Sequence, residues 1–176
     1  MNESWQTISE EIIDSNPWWS HIMRRFRTGE GREGEYHFMH NNSAVNVFAQ
    51  LDNGQFVMIR EYRYVLDKMS VATCQGGIEL GESPDQTADR ELQEETGYEA
   101  GTLVKIGECA AAPAFADEIL HVFLATDLKK IGEHDQEVSE VFLMTADEID
   151  SAIRAGEIWD SHVIASWYLA KLHLGL

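Results

Sequence analysis

The segment from Gly76 to Tyr98, GGIELGESPDQTADRELQEETGY, constrains what this 176-residue chain can fold into more than any other. It predicts a glycine-rich loop, a helix over 84–96 and a turn. Ser83 stands at the N-cap position, Pro84 in the first turn and Gly97 just past the last turn, where these residue types are favoured. Local signals alone therefore indicate a loop–helix–loop unit.

Three acidic side chains of that helix share one face. Glu91, Glu94 and Glu95 are three or four residues apart, a spacing at which like charges repel. A divalent cation would relieve the repulsion, and an all-oxygen ligand set favours Mg²⁺ or Mn²⁺. Arg90 and Glu82 are a candidate pair for holding the carboxylates in register. Without further context, a solvated acidic helix face is the alternative interpretation.

The whole segment resembles the signature box of the Nudix hydrolases, in which glycine, glutamate and an Arg-Glu-apolar-x-Glu-Glu-x-Gly run stand at fixed spacing. Tyrosine replaces the usual aliphatic residue at the last position. The matching positions are Gly76, Glu82, Arg90, Glu91, Leu92, Glu94, Glu95, Gly97 and Tyr98.

The resemblance implies a set of site residues. It predicts that Glu91, Glu94 and Glu95 bind Mg²⁺ or Mn²⁺ together with the backbone carbonyl of Gln75. Glu94 and Arg90 are also assigned to the catalytic group. In such a site, metal ions neutralise the diphosphate and orient the attacking water.

A base for that water is predicted in the acidic run EHDQEVSE at 133–140. The resemblance places such a residue in a distant acidic loop, and Glu137 is best positioned relative to the following strand. Asp135 and Glu140 are alternatives. The run taken alone is also typical of a solvated loop.

Features outside the box resemble the ADP-ribose and nucleotide-sugar pyrophosphatase branch of this family. They are NPWW at 16–19, GREGEYHF at 31–38, IREYRY at 59–64, Pro113, Glu118 and IWDSHVIASWYLA at 158–170. The resemblance implies hydrolysis of the diphosphate bond of a nucleoside diphosphate sugar or ADP-ribose. The products would be a nucleoside monophosphate and a sugar phosphate.

Five residues are predicted to bind this substrate. Trp18 and Trp19 offer rings for stacking on a base, although core packing is equally typical of such residues. Arg60 and Arg63 are predicted to bind the diphosphate through paired N–H donors, and exposed salt bridges are the alternative. Glu118 matches an acidic residue that the branch uses near the terminal ribose or metal.

The sequence departs from the branch just before the box, where ATCQG at 72–76 replaces Glu-Leu-Pro-Ala-Gly. The run QGG is similar to that of dinucleoside-polyphosphate and RNA-end hydrolases. A formal net charge of −18 disfavours nucleic acid and anionic membranes as partners. Nucleotide sugars are therefore favoured as substrates. Dinucleoside-polyphosphate hydrolysis and a non-catalytic nucleotide sensor are the alternatives.

The predicted fold is α/β, a Nudix-type α/β/α sandwich with a mixed central sheet and an N-terminal antiparallel β extension. The extension covers 1–43, for substrate binding and dimerisation, and the catalytic domain 44–176. Asn-Gly at 53–54 predicts a hairpin between two apolar strands. A Trp-rich extension with little to pack on favours a homodimer. No signal peptide or membrane span is evident, so a cytoplasmic location is expected.

Overall fold

The computed structural model describes residues 5–135 and 138–176. They form two compact units, one reaching to Asn42 and including Ala110–Ile119, the other comprising Ser43–Cys109 and Leu120–Leu176. The strands and helices are β1 Gln6–Ser15, β2 Trp19–Arg27, β3 Glu33–Asn41, β4 Ala44–Gln50, β5 Phe56–Arg63, β6 Lys68–Ala72, β7 Cys74–Gly77, α1 Pro84–Thr96, β8 Tyr98–Ala110, β9 Ile119–Lys130, β10 Glu140–Met144, α2 Ala146–Ala155 and α3 Ser161–Leu174.

The first unit is built on an antiparallel sheet in the order β1–β2–β3. A glycine-rich turn follows β2, and in it Gly31 adopts a φ of +84° that favours glycine. Strand β1 was not predicted. All ten of its residues are exposed, so no buried face marks it in the sequence. Its pairing with β2 includes a 2.8 Å hydrogen bond from Arg24 Nε to Glu10 Oε2.

The second unit is built on a mixed sheet in the order β10–β5–β4–β9–β8, with β6 beside β5 and β7 beside β4. Strands β4 and β9 are parallel, whereas β4 is antiparallel to β5 and β7. The predicted hairpin joins β4 to β5, and Gly54 N donates to Leu51 O at 2.8 Å within its turn. This topology places β7, which leads into the box, against the centre of the sheet.

Apolar side chains of β4 alternate between the two faces of this sheet. Val47 belongs to a buried cluster with Ala88 and Leu92 of α1. Phe48 belongs to a second cluster with residues of α2 and α3, including Trp167. Helices therefore cover both faces, which confirms the α/β/α sandwich. Burying a side chain such as Leu92 stabilises a fold by about 1.5–3 kcal/mol.

The helices of the described ranges are short. The C-terminal helix α3 has 14 residues. Within residues 5–135 and 138–176, no helix combines the length and the apolar character needed to span a membrane.

Candidate active site

Helix α1 is capped at both ends by the residues from which the helix was predicted, Ser83 and Gly97. Ser83 and Gln86 form reciprocal side-chain to backbone hydrogen bonds that cap its N-terminus. Gly97 ends it with a φ of +69°, and a Cβ there would collide with the Gly132 carbonyl. Leu92 is fully buried in the cluster that joins this helix to the sheet.

Arg90 connects the acidic side chains of the box. Its Nε and Nη2 donate to Glu82 Oε1 and Oε2 at 2.9 and 3.0 Å. Its Nη1 donates to Glu91 Oε1 at 2.7 Å and to Glu94 Oε2 at 3.1 Å. The bonds from Arg90 lower the pKa of Glu82 to about 2, and those to Glu82 raise the pKa of Arg90. One guanidinium thus relieves the repulsion among three carboxylates.

The Gln75–Gly76 segment of β7 lies directly against two box carboxylates. Glu95 Oε2 accepts a hydrogen bond from Gln75 N at 2.9 Å. The carboxylate of Glu91 occupies the space beside Gly76, so that a Cβ there would overlap it. The structure therefore brings together Gln75, Glu91 and Glu95, three of the four predicted metal-binding residues.

Burial gives these carboxylates unusual ionisation. It raises the pKa of Glu95 to about 8, against the hydrogen bond from Gln75 that favours the ionised form. It also raises the pKa of Glu91, and the nearby Arg90 opposes that shift. A carboxylate buried without enough positive charge around it holds its proton more tightly. A cation would remove this penalty.

These residues provide donor atoms that suit a hard divalent ion. Their donors are carboxylate and carbonyl oxygens, which Mg²⁺ and Mn²⁺ prefer. In the described ranges, 5–135 and 138–176, no three His, Cys, Asp or Glu side chains are already grouped to hold a metal. Arg90 hydrogen-bonds Glu91 and Glu94, whereas Glu95 hydrogen-bonds Gln75. Binding an ion would require these carboxylates to exchange some of their present partners.

The predicted base, Glu137, lies outside the described residues. Its two alternatives are described. Asp135 N donates to Glu94 O at 2.8 Å, which ties the acidic loop to the C-terminal half of α1. Glu140 begins β10 and accepts a 3.0 Å hydrogen bond from Arg60. The start of the acidic loop is thus adjacent to the box.

Both predicted arginines of β5 are ion-paired. Arg60 bonds to Glu140 and lies over the ring of Phe142, 5.2 Å from its centroid. Arg63 contacts Glu61 Oε1 at 2.6 Å and Asp160 Oδ2 at 3.3 Å. Glu61 was not singled out from the sequence, although it is an acidic residue between the two arginines of IREYRY. It also accepts a hydrogen bond from Gln75 Nε2 at 3.1 Å.

The first unit contains a cavity of about 480 Å³, within the size range of small-ligand sites. Its wall is aromatic, and the rings of Trp5 and Phe26 stack with centroids 4.2 Å apart. Glu118 lies on the wall and accepts a 2.7 Å hydrogen bond from Asn41. The aromatic and polar lining comprises Trp5, Phe26, Tyr36, Phe38, Arg24 and Glu118.

Trp18 and Trp19 do not line this cavity. Trp18 is 78% exposed and Trp19 is 40% exposed. Trp19 lines a separate, smaller cavity of about 280 Å³ together with His21 and His37. The aromatic wall of the larger cavity was missed because its rings come from β2, β3 and Trp5, and Trp5 lies just before a strand that was not predicted.

Fold and site together define a class of α/β enzyme in which a capped helix presents carboxylates to a glycine-rich loop. A NUDIX domain family model matches residues 40–167. An ADP-ribose pyrophosphatase of Bacillus subtilis (strain 168) is 34% identical over 160 residues, which cover 89% of this chain and 86% of that protein. A GDP-mannose pyrophosphatase of Yersinia enterocolitica is 32% identical over 144 residues, covering 75% and 74%.

A crystal structure of an ADP compounds hydrolase superimposes with a TM-score of 0.85 and covers 98% of this chain and 95% of that chain. At 19% identity this likeness bears on the fold alone, which it confirms. The chain belongs to the Nudix family. The predicted enzyme class, a Nudix pyrophosphohydrolase, is confirmed, and enzymes of this family generally use divalent metals.

Proposed function

We propose that this enzyme hydrolyses the diphosphate bond of nucleoside diphosphate sugars and of ADP-ribose, and releases a nucleoside monophosphate and a sugar phosphate. The arrangement of Glu91 and Glu95 around the Gln75–Gly76 segment carries the proposal. The relatives named as ADP-ribose and GDP-mannose pyrophosphatases support the choice of substrate.

The residues of the box have distinct proposed roles. Glu91, Glu94, Glu95 and the Gln75 carbonyl hold Mg²⁺ or Mn²⁺. The bound ion would neutralise diphosphate charge and lower the pKa of the attacking water. Arg90 holds Glu91 and Glu94 in place through hydrogen bonds before the ion and substrate bind, which is why we count it with the catalytic group.

Glu137 is the proposed general base, and Asp135 and Glu140 remain the alternatives. A general base must come within hydrogen-bond reach of the proton that it removes, directly or through one water. The bond from Asp135 N to Glu94 O supports the acidic loop as the source of this base, because it brings the loop to the box helix.

Substrate recognition is proposed for both units. The aromatic cavity of the first unit has the size and the ring surfaces to take a flat base, with Glu118 as a polar contact. Trp18 and Trp19 remain candidates for an exposed stacking surface. Arg60 and Arg63 are proposed to act on the diphosphate, and to do so they must share their guanidinium groups with the acids that they now contact.

We also propose that 1–43 is a substrate-binding and dimerisation extension and that 44–176 is the catalytic domain. Strand β1 supports a homodimer, because it is an edge strand and no strand within residues 5–135 and 138–176 pairs with its outer side. Its Ile12 is 62% exposed and Ile13 is 48% exposed. Exposed apolar edge strands favour pairing with another chain. A monomeric mass in light scattering would contradict the homodimer.

The function is tested by phosphate-coupled turnover at equal concentrations of ADP-ribose, GDP-mannose and a dinucleoside tetraphosphate. The assays run with Mg²⁺, with Mn²⁺ and with a chelator. We expect metal-dependent release of a nucleoside monophosphate from the two diphosphates, and its loss in Glu95→Gln. Glu108→Gln, which removes an exposed charge paired with Lys105, is the control.

Preference for the tetraphosphate would replace the substrate class but keep the family. That alternative draws support from the QGG run at 75–77, which precedes the box helix. Binding of ADP-ribose without turnover would instead favour a nucleotide sensor.

A further inference from the structure

Glu61 lies outside the box but is bound into its surroundings. Its side chain is 15% exposed. Two donors approach the same oxygen, Oε1: the Arg63 guanidinium at 2.6 Å and Gln75 Nε2 at 3.1 Å. Such a carboxylate has little rotational freedom, because turning it would remove the acceptor that the partly buried Arg63 guanidinium and Gln75 amide share.

Arg63 is itself anchored from a second element. It donates to Asp160 Oδ2 at 3.3 Å. Asp160 is the N-cap of α3, where its other oxygen accepts a 2.8 Å hydrogen bond from His162 N. The start of α3 thus holds Arg63, and Arg63 holds Glu61.

Gln75 connects Glu61 to the box, because it hydrogen-bonds both Glu61 and Glu95. Its side chain donates to Glu61, while its backbone N–H donates to Glu95 at 2.9 Å. Its backbone is also paired with Asn46 of β4. Strand pairing sets where Gln75 lies, and the two carboxylates set how its amide groups are oriented.

We propose that Glu61 is a positioning residue of the metal site, acting through Gln75 to orient the backbone carbonyl and the Glu95 carboxylate that bind the ion. This inference rests on the metal site of the proposed function. Nothing in the box pattern specifies position 61. Groups that orient metal ligands typically change metal affinity or activity by about 10–100-fold when they are removed.

The test is Mn²⁺ binding to the full-length protein, measured by electron paramagnetic resonance of the free ion. Wild type is compared with Glu61→Ala, Gln75→Ala and the double variant. We expect each single substitution to weaken Mn²⁺ binding by about tenfold or more. Because both remove the same interaction, the double variant should bind about as well as either single variant, rather than about 100-fold worse.

Two further variants separate positioning from charge and from general damage. Glu61→Gln keeps an acceptor oxygen for Gln75, so most of the affinity should be retained. Glu108→Ala removes an exposed carboxylate that is paired with Lys105 on β8, and should bind Mn²⁺ as wild type does. Circular dichroism melts identify any variant that fails to fold, in which case Glu61→Gln and Gln75→Ala form the comparison.

Additive losses in the double variant would overturn the inference, as would wild-type affinity in Glu61→Ala. Equal losses in Glu61→Gln and Glu61→Ala would also overturn it, since charge alone would then explain the effect. The wild type could bind Mn²⁺, with non-additive effects of substitution at 61 and 75, and still hydrolyse no nucleotide sugar. That result would sustain the inference and refute only the proposed substrate.

Discussion

Replacing Gly76 with alanine should damage the site while sparing the fold. A Cβ at this position would overlap the carboxylate of Glu91. That carboxylate is the far end of a flexible side chain, so it can move aside at little cost in stability. It cannot move aside and also keep its present position, and a displacement of about 1 Å at a reacting site can cost about 10²-fold in rate.

We therefore expect Gly76→Ala to lower kcat/KM by about 100-fold, equivalent to about 2.7 kcal/mol of transition-state stabilisation. The midpoint of thermal unfolding should change little. The assay is turnover of ADP-ribose with Mg²⁺, beside a circular dichroism melt. If the activity loss reflects displacement of Glu91, Mn²⁺ affinity should fall in parallel.

Gly77→Ala is the matched control, because it lies one residue further along the same strand and a Cβ there meets nothing within 4 Å. It should keep wild-type activity. Equal loss of activity in both variants would refute the reasoning, since the effect would then arise from stiffening of the loop. Full activity in Gly76→Ala would show that Glu91 has no required position.

The remaining predictions concern ionisation, the guanidinium and the cavity. The pKa of Glu95 is about 8 in the folded protein and 4.5 in an unfolded chain. The metal-free protein should therefore lose on the order of a few kcal/mol of folding stability as the pH rises from about 4.5 to about 8, because only the unfolded chain releases this proton readily in that range. Urea unfolding with chelator at pH 5 and 8 checks this, and Glu95→Gln should remove most of the loss. Arg90→Lys cannot form the paired bonds to Glu82, so Mn²⁺ affinity should fall about 10–100-fold in the same titration. Phe26→Ala removes a ring from the cavity wall and should raise KM for ADP-ribose about threefold to tenfold, whereas Tyr168→Ala, on an exposed part of α3, should not change it.

The box helix could be predicted from sequence because every signal for it is local. The caps at Ser83 and Gly97 lie within one turn of its ends, and the spacing of the carboxylates is set by helix geometry. The hairpin over 44–63 was predictable for the same reason, since an Asn-Gly turn joins two apolar strands.

Contacts distant in sequence could not be predicted. Arg63 and Asp160 are separated by 97 positions, and neither belongs to a motif that specifies a partner. Both arginines of β5 were expected to face a diphosphate or a surface acid, but nothing in the strand indicated which acids would meet them. The aromatic cavity depends on β1, whose ten residues are all exposed and therefore carry no burial pattern.

The acidic residues of the box helix lower the stability of the metal-free fold. Ala88 and Leu92 are fully buried and hold the helix to the sheet, while the acidic residues between and beyond them gain nothing from burial. Burial instead raises the pKa of Glu95 to about 8, so the unliganded fold tolerates a poorly solvated carboxyl at its centre. A divalent ion would favour the ionised form of Glu95. It would also stabilise the folded state, because it binds the folded protein and not the unfolded chain. The same residues should therefore make both activity and thermal stability depend on the metal, and a chelator should lower both in wild type while affecting the stability of Glu95→Gln far less.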